Sequence, residues 1–255
     1  MPPSSTKIAS HRGGAELWPE NSRLAFRNSM KLPVDFIEFD LHRSRDGVLL
    51  VHHDPILGRT SEGEGVIAEM PWDRLKVCRL RRTDGEGLPT FAEVLDIVTT
   101  RRMGLRIELK DMVDGNRYED MEAQTVAALE ERGLLDRVTF TSFNLDTLRV
   151  LASLRRNLPL IWLIKTDTYE AEAGGLTSYC ERALAAGVSE LSLRIEQMVD
   201  GDVDFCRARG LSFGVFAAHT TEAIMRAFKQ SVAAFTTDRP DLAIDVRDQY
   251  AKIAG

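Results

Sequence analysis

The chain of 255 residues has only three cysteines, Cys78, Cys180 and Cys206. The count is odd and no pair has CxxC spacing, which argues against a disulfide framework or a thiolate metal site and fits reduced thiols. No run reaches the roughly 18 apolar residues of a spanning helix, so no membrane span is expected. The start, MPPSSTKIAS, has no apolar segment of the secretory type, and a cytoplasmic location is the expectation. There is no excess of positive charge either. The net charge of −6 argues against a nucleic-acid partner, but not against a small anionic substrate. No GxGxxG loop follows the first apolar run, which counts against a dinucleotide-binding open sheet.

What is present is a regular alternation. Apolar runs at Lys7–Ser10, Val34–Phe39, Leu105–Leu109, Arg137–Thr141, Leu160–Ile164, Ser189–Leu193, Leu211–Phe216 and Val232–Phe235 read as strands. Helical patterns lie between them, several closed by glycine. Asn21 is expected to cap the first helix, and Thr90 with Glu93 to form a capping box for another. Asp46-Gly47 marks a tight turn into Val48–Val51. About eight strand–helix units without a composition break predict a single-domain (β/α)8 TIM barrel over 1–255. The stretch 55–88 is an irregular, Gly-rich insertion after the second strand region.

The polar residues that interrupt the apolar runs fall at the strands' carboxyl ends, where such barrels place active sites. These are His11-Arg12, Glu38 and Asp40, His53, Glu108 and Lys110, Ser142, Lys165, Arg194 and Asp238. Glu38 and Asp40 are two apart and share one face of a strand; Glu108 and Lys110 repeat that geometry. Crowded carboxylates repel unless a cation lies between them. Glu38, Asp40 and Glu108, with no cysteine, suggest one hard divalent cation, Mg²⁺ or Ca²⁺. His11 and His53 suit a general acid/base pair. Arg12 and Lys110 can balance phosphate charge. His52 and His53 alternate, and His53 is expected to face the site. His42 is expected to face away, in a segment leaving its strand. Singly, each motif also fits a salt bridge or a surface turn; their recurrence at one end of successive strands points to function.

These residues resemble the glycerophosphodiester phosphodiesterase family. His11-Arg12-Gly13 is similar to its HRG signature, Pro19-Glu20-Asn21-Ser22 to its PENT segment, and Glu38-Phe39-Asp40 to its ExD. His53-Asp54 with Arg59-Thr60 resembles HD…RT, and Leu88-Pro89-Thr90-Phe91 its PTL helix start. Glu108-Leu109-Lys110, Ser142-Phe143 and Thr237-Asp238-Arg239-Pro240 resemble ExK, SF and TDxP. The resemblance implies a TIM barrel, a cation on Glu38, Asp40 and Glu108, and His11 and His53 as acid and base. It also implies hydrolysis of glycerophosphodiesters to glycerol 3-phosphate and an alcohol, with the 55–88 segment shaping the pocket. One departure stands out. Phe216-Ala217-Ala218-His219 replaces a Trp-Thr-Val-Asn pattern near the seventh strand's end, so Phe216 is expected on the pocket wall with altered specificity. The rival readings are a phospholipase D-like barrel acting on lysophospholipids and a catalytically silent barrel that only binds a phosphorylated ligand.

Overall fold

The computed structural model describes residues 6–254. Its strands are β1 (Lys7–Ser10), β2 (Phe36–Arg43), β3 (Leu49–Val51), β4 (Gly104–Leu109), β5 (Val138–Ser142), β6 (Leu160–Leu163), β7 (Glu190–Arg194), β8 (Ser212–Phe216) and β9 (Ala234–Thr237). All except β3 run parallel in the order β1-β9-β8-β7-β6-β5-β4-β2, and β1 pairs with β2 to close the ring. This is a TIM barrel. Helices α1 (Arg23–Ser29), α2 (Trp72–Leu75), α3 (Phe91–Val98), α4 (Met121–Glu131), α5 (Leu145–Leu154), α6 (Thr166–Ala171), α7 (Gly175–Ala185), α8 (Asp202–Arg207), α9 (Thr221–Lys229) and α10 (Pro240–Ala254) complete it. Among the described residues no helix is long and apolar enough to cross a membrane.

Strand alternation makes the site possible. On β2, Ile37, Phe39 and Leu41 point outward and are fully buried under helices. Phe39 meets Phe26 of α1 edge-on at 5.7 Å and Phe91 of α3 at 6.1 Å. Burying each such side chain contributes about 1.5–3 kcal/mol. Glu38, Asp40 and His42 take the other face of the same strand. The strand runs on to Arg43 rather than stopping at Asp40, so His42 shares the functional face instead of leaving it.

β3 is the device that delivers the second histidine. It folds back antiparallel on β2, with Leu41 opposite Val51, through a turn closed by Gly47 N–H to Ser44 O at 3.0 Å. His52 N–H then donates to Asp40 O at 3.1 Å, which fixes His53 beside the carboxylates. The segment that follows is more than loop. Leu50, Leu57, Ile67, Leu75, Leu80 and Leu88 form their own small core, with Met70, Trp72 and Cys78 packed on it. The capping box of Thr90 and Glu93 starts α3 as expected. Asn21 does not cap α1; Ser22 does, its Oγ accepting from Ala25 N–H at 3.0 Å.

Candidate active site

The loop after β1 sets the places of His11 and Arg12 and calls for glycine at position 13. Arg12 lies at φ 51 and Gly13 at φ 80, both left-handed. Such a conformation costs a residue like Arg about 1–2 kcal/mol. A side chain at position 13 would also strike Ala25 Cβ at 2.9 Å. The reversal turns the Arg12 N–H onto Glu38 Oε2 at 2.9 Å and sets His11 Nε2 4.0 Å from the same oxygen.

Three carboxylates from two adjacent strands meet here. Ligand oxygens of Glu38, Asp40 and Glu108 lie within 4.8 Å of one another, and all three residues are buried. Lys110 Nζ lies 2.5 Å from Glu108 Oε1 and 3.0 Å from Asp40 Oδ1. Asp40 Oδ2 accepts from Asn21 Nδ2 at 2.7 Å and faces Arg12 Nε at 3.2 Å. Burial pushes the Glu38 carboxyl well above its usual range, helped by Asp40 and Glu108. Burial likewise raises Glu108, against the pull of Lys110. Burial would raise Asp40 as well, but Lys110 and Arg12 outweigh it and hold this carboxyl well down. Asp40 Oδ1 has no directed hydrogen bond despite its closeness to Lys110. A buried oxygen without a directed donor, among carboxyls that resist joint ionisation, fits a divalent cation with oxygen ligands. A second group, Glu16, His219 and Asp238, lies at the rim, but Asp238 Oδ1 is already engaged by His11 and Glu16 is exposed.

The two histidines flank this cluster, each backed by a carboxylate. His11 Nδ1 is 2.6 Å from Asp238 Oδ1. His53 Nδ1 is 2.6 Å from Asp54 Oδ1. A proton on Nδ1 suits both contacts and leaves each Nε2 outside the aspartate contact. Burial lowers His11, as does Arg12, while Asp238 opposes them. Burial lowers His53 to about 4. Asp54 is pulled down to about 2, because Arg59 and His53 outweigh the effect of burial. Arg59 donates to Asp54 Oδ2 at 2.6 Å and to Glu20 Oε1 at 2.7 Å, and Arg12 reaches the same Glu20 oxygen at 3.1 Å.

His11, Arg12, Glu38, His53, Glu108, Lys110 and Phe216 thus all line one cavity of about 200 Å³. Asp40 is buried beneath it. Phe143, Leu163, Ser192 and Arg194 make its far wall, where Phe143 and Phe216 meet edge-on at 5.8 Å. Ser142 is structural, its Oγ donating to Leu109 O at 2.9 Å. His52 faces away from the cavity, with Nδ1 2.8 Å from Asp54 O.

Several contributors were missed in the sequence. His42 does not face away: it is fully buried, with Nδ1 2.8 Å from Tyr118 Oη and Nε2 3.0 Å from His53 O. Burial lowers it to about 3, so it supports the His53 backbone as a neutral ring. Its i+2 spacing from Asp40 was the available signal. Asn21, expected as a helix cap, belongs to the site through Asp40; Asp238, expected at a strand end, joins it through His11. His219 Nδ1 accepts from the Asp238 N–H at 3.0 Å. Arg106 also lines the cavity floor and pairs with Glu190 at 3.3 Å.

A sequence model of the glycerophosphoryl diester phosphodiesterase family matches residues 11–242. The chain belongs to this family. Its members' activity, hydrolysis of glycerophosphodiesters, makes the chain a phosphoric diester hydrolase. It is 26% identical over 246 residues to a glycerophosphodiester phosphodiesterase of Caldanaerobacter subterraneus, covering 94% of this chain and 97% of that one. A crystal structure from Agrobacterium tumefaciens assigned to the same family superimposes with a TM-score of 0.92 at 34% identity, over 97% of this chain and 99% of the other. An Oleispira antarctica phosphodiesterase in complex with its product sn-glycerol-3-phosphate shares the fold, with a TM-score of 0.80 at 22% identity over 95% and 96% of the two chains.

Proposed function

We propose that the protein cleaves glycerophosphodiesters to glycerol 3-phosphate and an alcohol, as one catalytic domain in which segment 55–88 shapes the pocket's surroundings through Arg59 on Asp54 and Glu20. The observation that carries this is the trio of buried carboxylates within 4.8 Å, flanked by two histidines each tied to an aspartate. Glu38, Asp40 and Glu108 are the ligands for one Mg²⁺ or Ca²⁺, which when bound supplies Lewis-acid polarisation of the phosphoryl oxygens. Arg12 and Lys110 balance the charge of the phosphodiester. Phe216 lies against one of its substituents. That the Oleispira protein holds sn-glycerol-3-phosphate supports this choice of product.

The two aspartates suggest different roles for the two histidines. Asp54 shares its charge with Arg59 through both oxygens, at 2.6 and 3.1 Å. It therefore gives little support to a charged imidazole, and His53, lowered to about 4, is neutral at pH 7. His53 Nε2 is the base that takes the proton from the nucleophile, either water or the neighbouring glycerol hydroxyl. Asp238 has no arginine or lysine partner among the described residues, and its carboxylate can balance an imidazolium on His11 against the lowering that burial and Arg12 impose. His11 Nε2 gives its proton to the departing alkoxide as the phosphorus–oxygen bond breaks. Asp238 and Asp54 act as positioning residues.

The cavity of about 200 Å³ is smaller than the roughly 300–1,000 Å³ of sites for drug-sized ligands, which argues against a lysophospholipid with its acyl chain. A panel of glycerophosphodiesters and lysophospholipids, assayed with EDTA, Mg²⁺, Ca²⁺ and Mn²⁺, tests the reading. The expected outcome is release of glycerol 3-phosphate that EDTA abolishes and one of the cations restores. Undiminished turnover in EDTA after exhaustive dialysis would overturn the metal site. Turnover of lysophospholipids alone would overturn the substrate.

A further inference from the structure

Segment 55–88 carries three arginines, Arg59, Arg81 and Arg82, on the side that meets the loop after β1. With Pro19, Glu20 and Thr60 they line a cavity of about 250 Å³ that shares no residue with the catalytic one. The two cavities meet at a rim. Arg12 of the catalytic cavity and Arg59 of this one donate to the same Glu20 oxygen, at 3.1 and 2.7 Å. Arg59 also holds Asp54, the partner of His53. The second cavity therefore borders the catalytic one where Arg12 and Arg59 meet on Glu20.

Charge in this cavity is unbalanced. Glu20 is its only carboxylate, and both of its oxygens already accept from arginines, Oε1 from Arg12 and Arg59 and Oε2 from Arg59. Arg81 gives Nε to Gly58 O at 3.1 Å. Among the described residues neither Arg81 nor Arg82 has a carboxylate within ion-pair distance. Their backbone is well held: Arg81 N–H donates to Thr60 O at 2.8 Å, and Thr83 Oγ1 to Leu80 O at 2.7 Å. Arg82 nevertheless sits at φ 61, a left-handed position that glycine or asparagine would occupy with less strain. An arginine kept in a strained turn at a cavity's edge points to use of its guanidinium.

We propose that this cavity is an anion subsite. It takes a phosphate monoester or carboxylate borne by the alcohol substituent of the diester. The proposal rests on the glycerophosphodiester reading above and names its substrate class: diesters whose alcohol is itself anionic, ahead of those carrying a quaternary ammonium. Two forked guanidinium groups suit such oxygens better than point charges would. The preference weakens as salt rises.

The test compares kcat/KM for two diesters that differ by one phosphate, glycerophosphoinositol and its 4-phosphate. Both are assayed with the wild type and with the double variant Arg81→Ala, Arg82→Gly, whose second change also suits the positive φ. The wild type should prefer the 4-phosphate by about tenfold at low salt, in line with charge-assisted contacts. The double variant, melting where the wild type does, should bring the ratio close to one. Inorganic phosphate should erase the preference at concentrations that leave cleavage of the unphosphorylated diester intact if the subsite also takes free anions. Resistance to phosphate confines it to substrate-borne ones. Equal rates for both diesters in the wild type overturn the proposal, as does a preference that survives in the variant. If neither diester is cleaved, the hydrolytic reading fails separately. Calorimetry with the 4-phosphate then decides the subsite: binding about tenfold weaker in the variant upholds it, and equal binding rejects it.

Discussion

The mouth of the barrel divides into two arcs of opposite character. One runs from the end of β9 through β1 and β2 to β4, and takes in the residues just after β3. It holds His11, Arg12, Glu38, Asp40, His53, Glu108, Lys110 and Asp238. Nearly every polar atom on it is engaged by another, as Asp40 is by Asn21, Arg12 and Lys110. The other arc, from β5 to β8, presents Phe143, Leu163, Ser192, Arg194 and Phe216. Its main internal contact is the edge-on aromatic pair. The charged arc is built to hold groups in one geometry, which proton transfer and charge balance require. The aromatic arc needs only shape and polarity, and many residue combinations supply those.

The comparison predicts that substitutions on the charged arc lower the rate on every substrate, whereas those on the aromatic arc change the ratio between substrates. The largest effect is expected for His53→Ala or His11→Ala, roughly 10²–10⁴ in kcat with KM little changed. Asp238→Asn comes next. It keeps the size but removes the carboxylate that raises His11, and losses of such positioning groups run at about 10–100-fold. Because His11 must hold a proton, the alkaline limb of its pH–rate profile should move to lower pH. An unshifted limb would remove Asp238 from the account. Phe216→Trp, which restores the aromatic of the resembled pattern, should alter kcat/KM ratios across a panel of leaving alcohols by up to about tenfold. A uniform fall would place Phe216 with the charged arc.

The smallest effect concerns stability beneath the charged arc. His42 titrates near 6.5 when unfolded and near 3 when folded. Between those values the unfolded chain binds more protons, so stability falls as pH drops through that window. His42 alone accounts for about 1.5 kcal/mol between pH 6.5 and 5. Urea midpoints over this range should show a shallower slope for His42→Gln than for the wild type.

The two arcs also differed in what the sequence disclosed. Alternating apolar runs predicted the barrel because eight strands buried on both faces leave a plain pattern. The charged arc was legible because its chemistry fixes residue types at i, i+2 spacing on two strands, as in Glu38 with Asp40 and Glu108 with Lys110. His42 was misplaced because one more turn of the same alternation was cut short at Asp40, whereas β2 continues to Arg43. Asn21 looked like a cap because its amide suits one; its left-handed φ of 55 and its reach to Asp40 depend on contacts between distant segments. The pairing of His11 with Asp238 spans 227 residues, which no local pattern reports. The aromatic arc was the least legible: Arg194 stood at a strand end and Phe143 in the Ser142-Phe143 pair, but only the departure at Phe216 spoke to specificity.

The most direct test of this division is one matrix of kcat/KM values for wild type, His53→Ala and Phe216→Trp on glycerophosphodiesters with three different alcohols, at saturating cation. The account predicts that His53→Ala loses at least about 100-fold on all three, with their ratios preserved, while Phe216→Trp keeps most of the activity and reorders them. Near-full turnover by His53→Ala, or an equal loss on all three alcohols in Phe216→Trp, would contradict it.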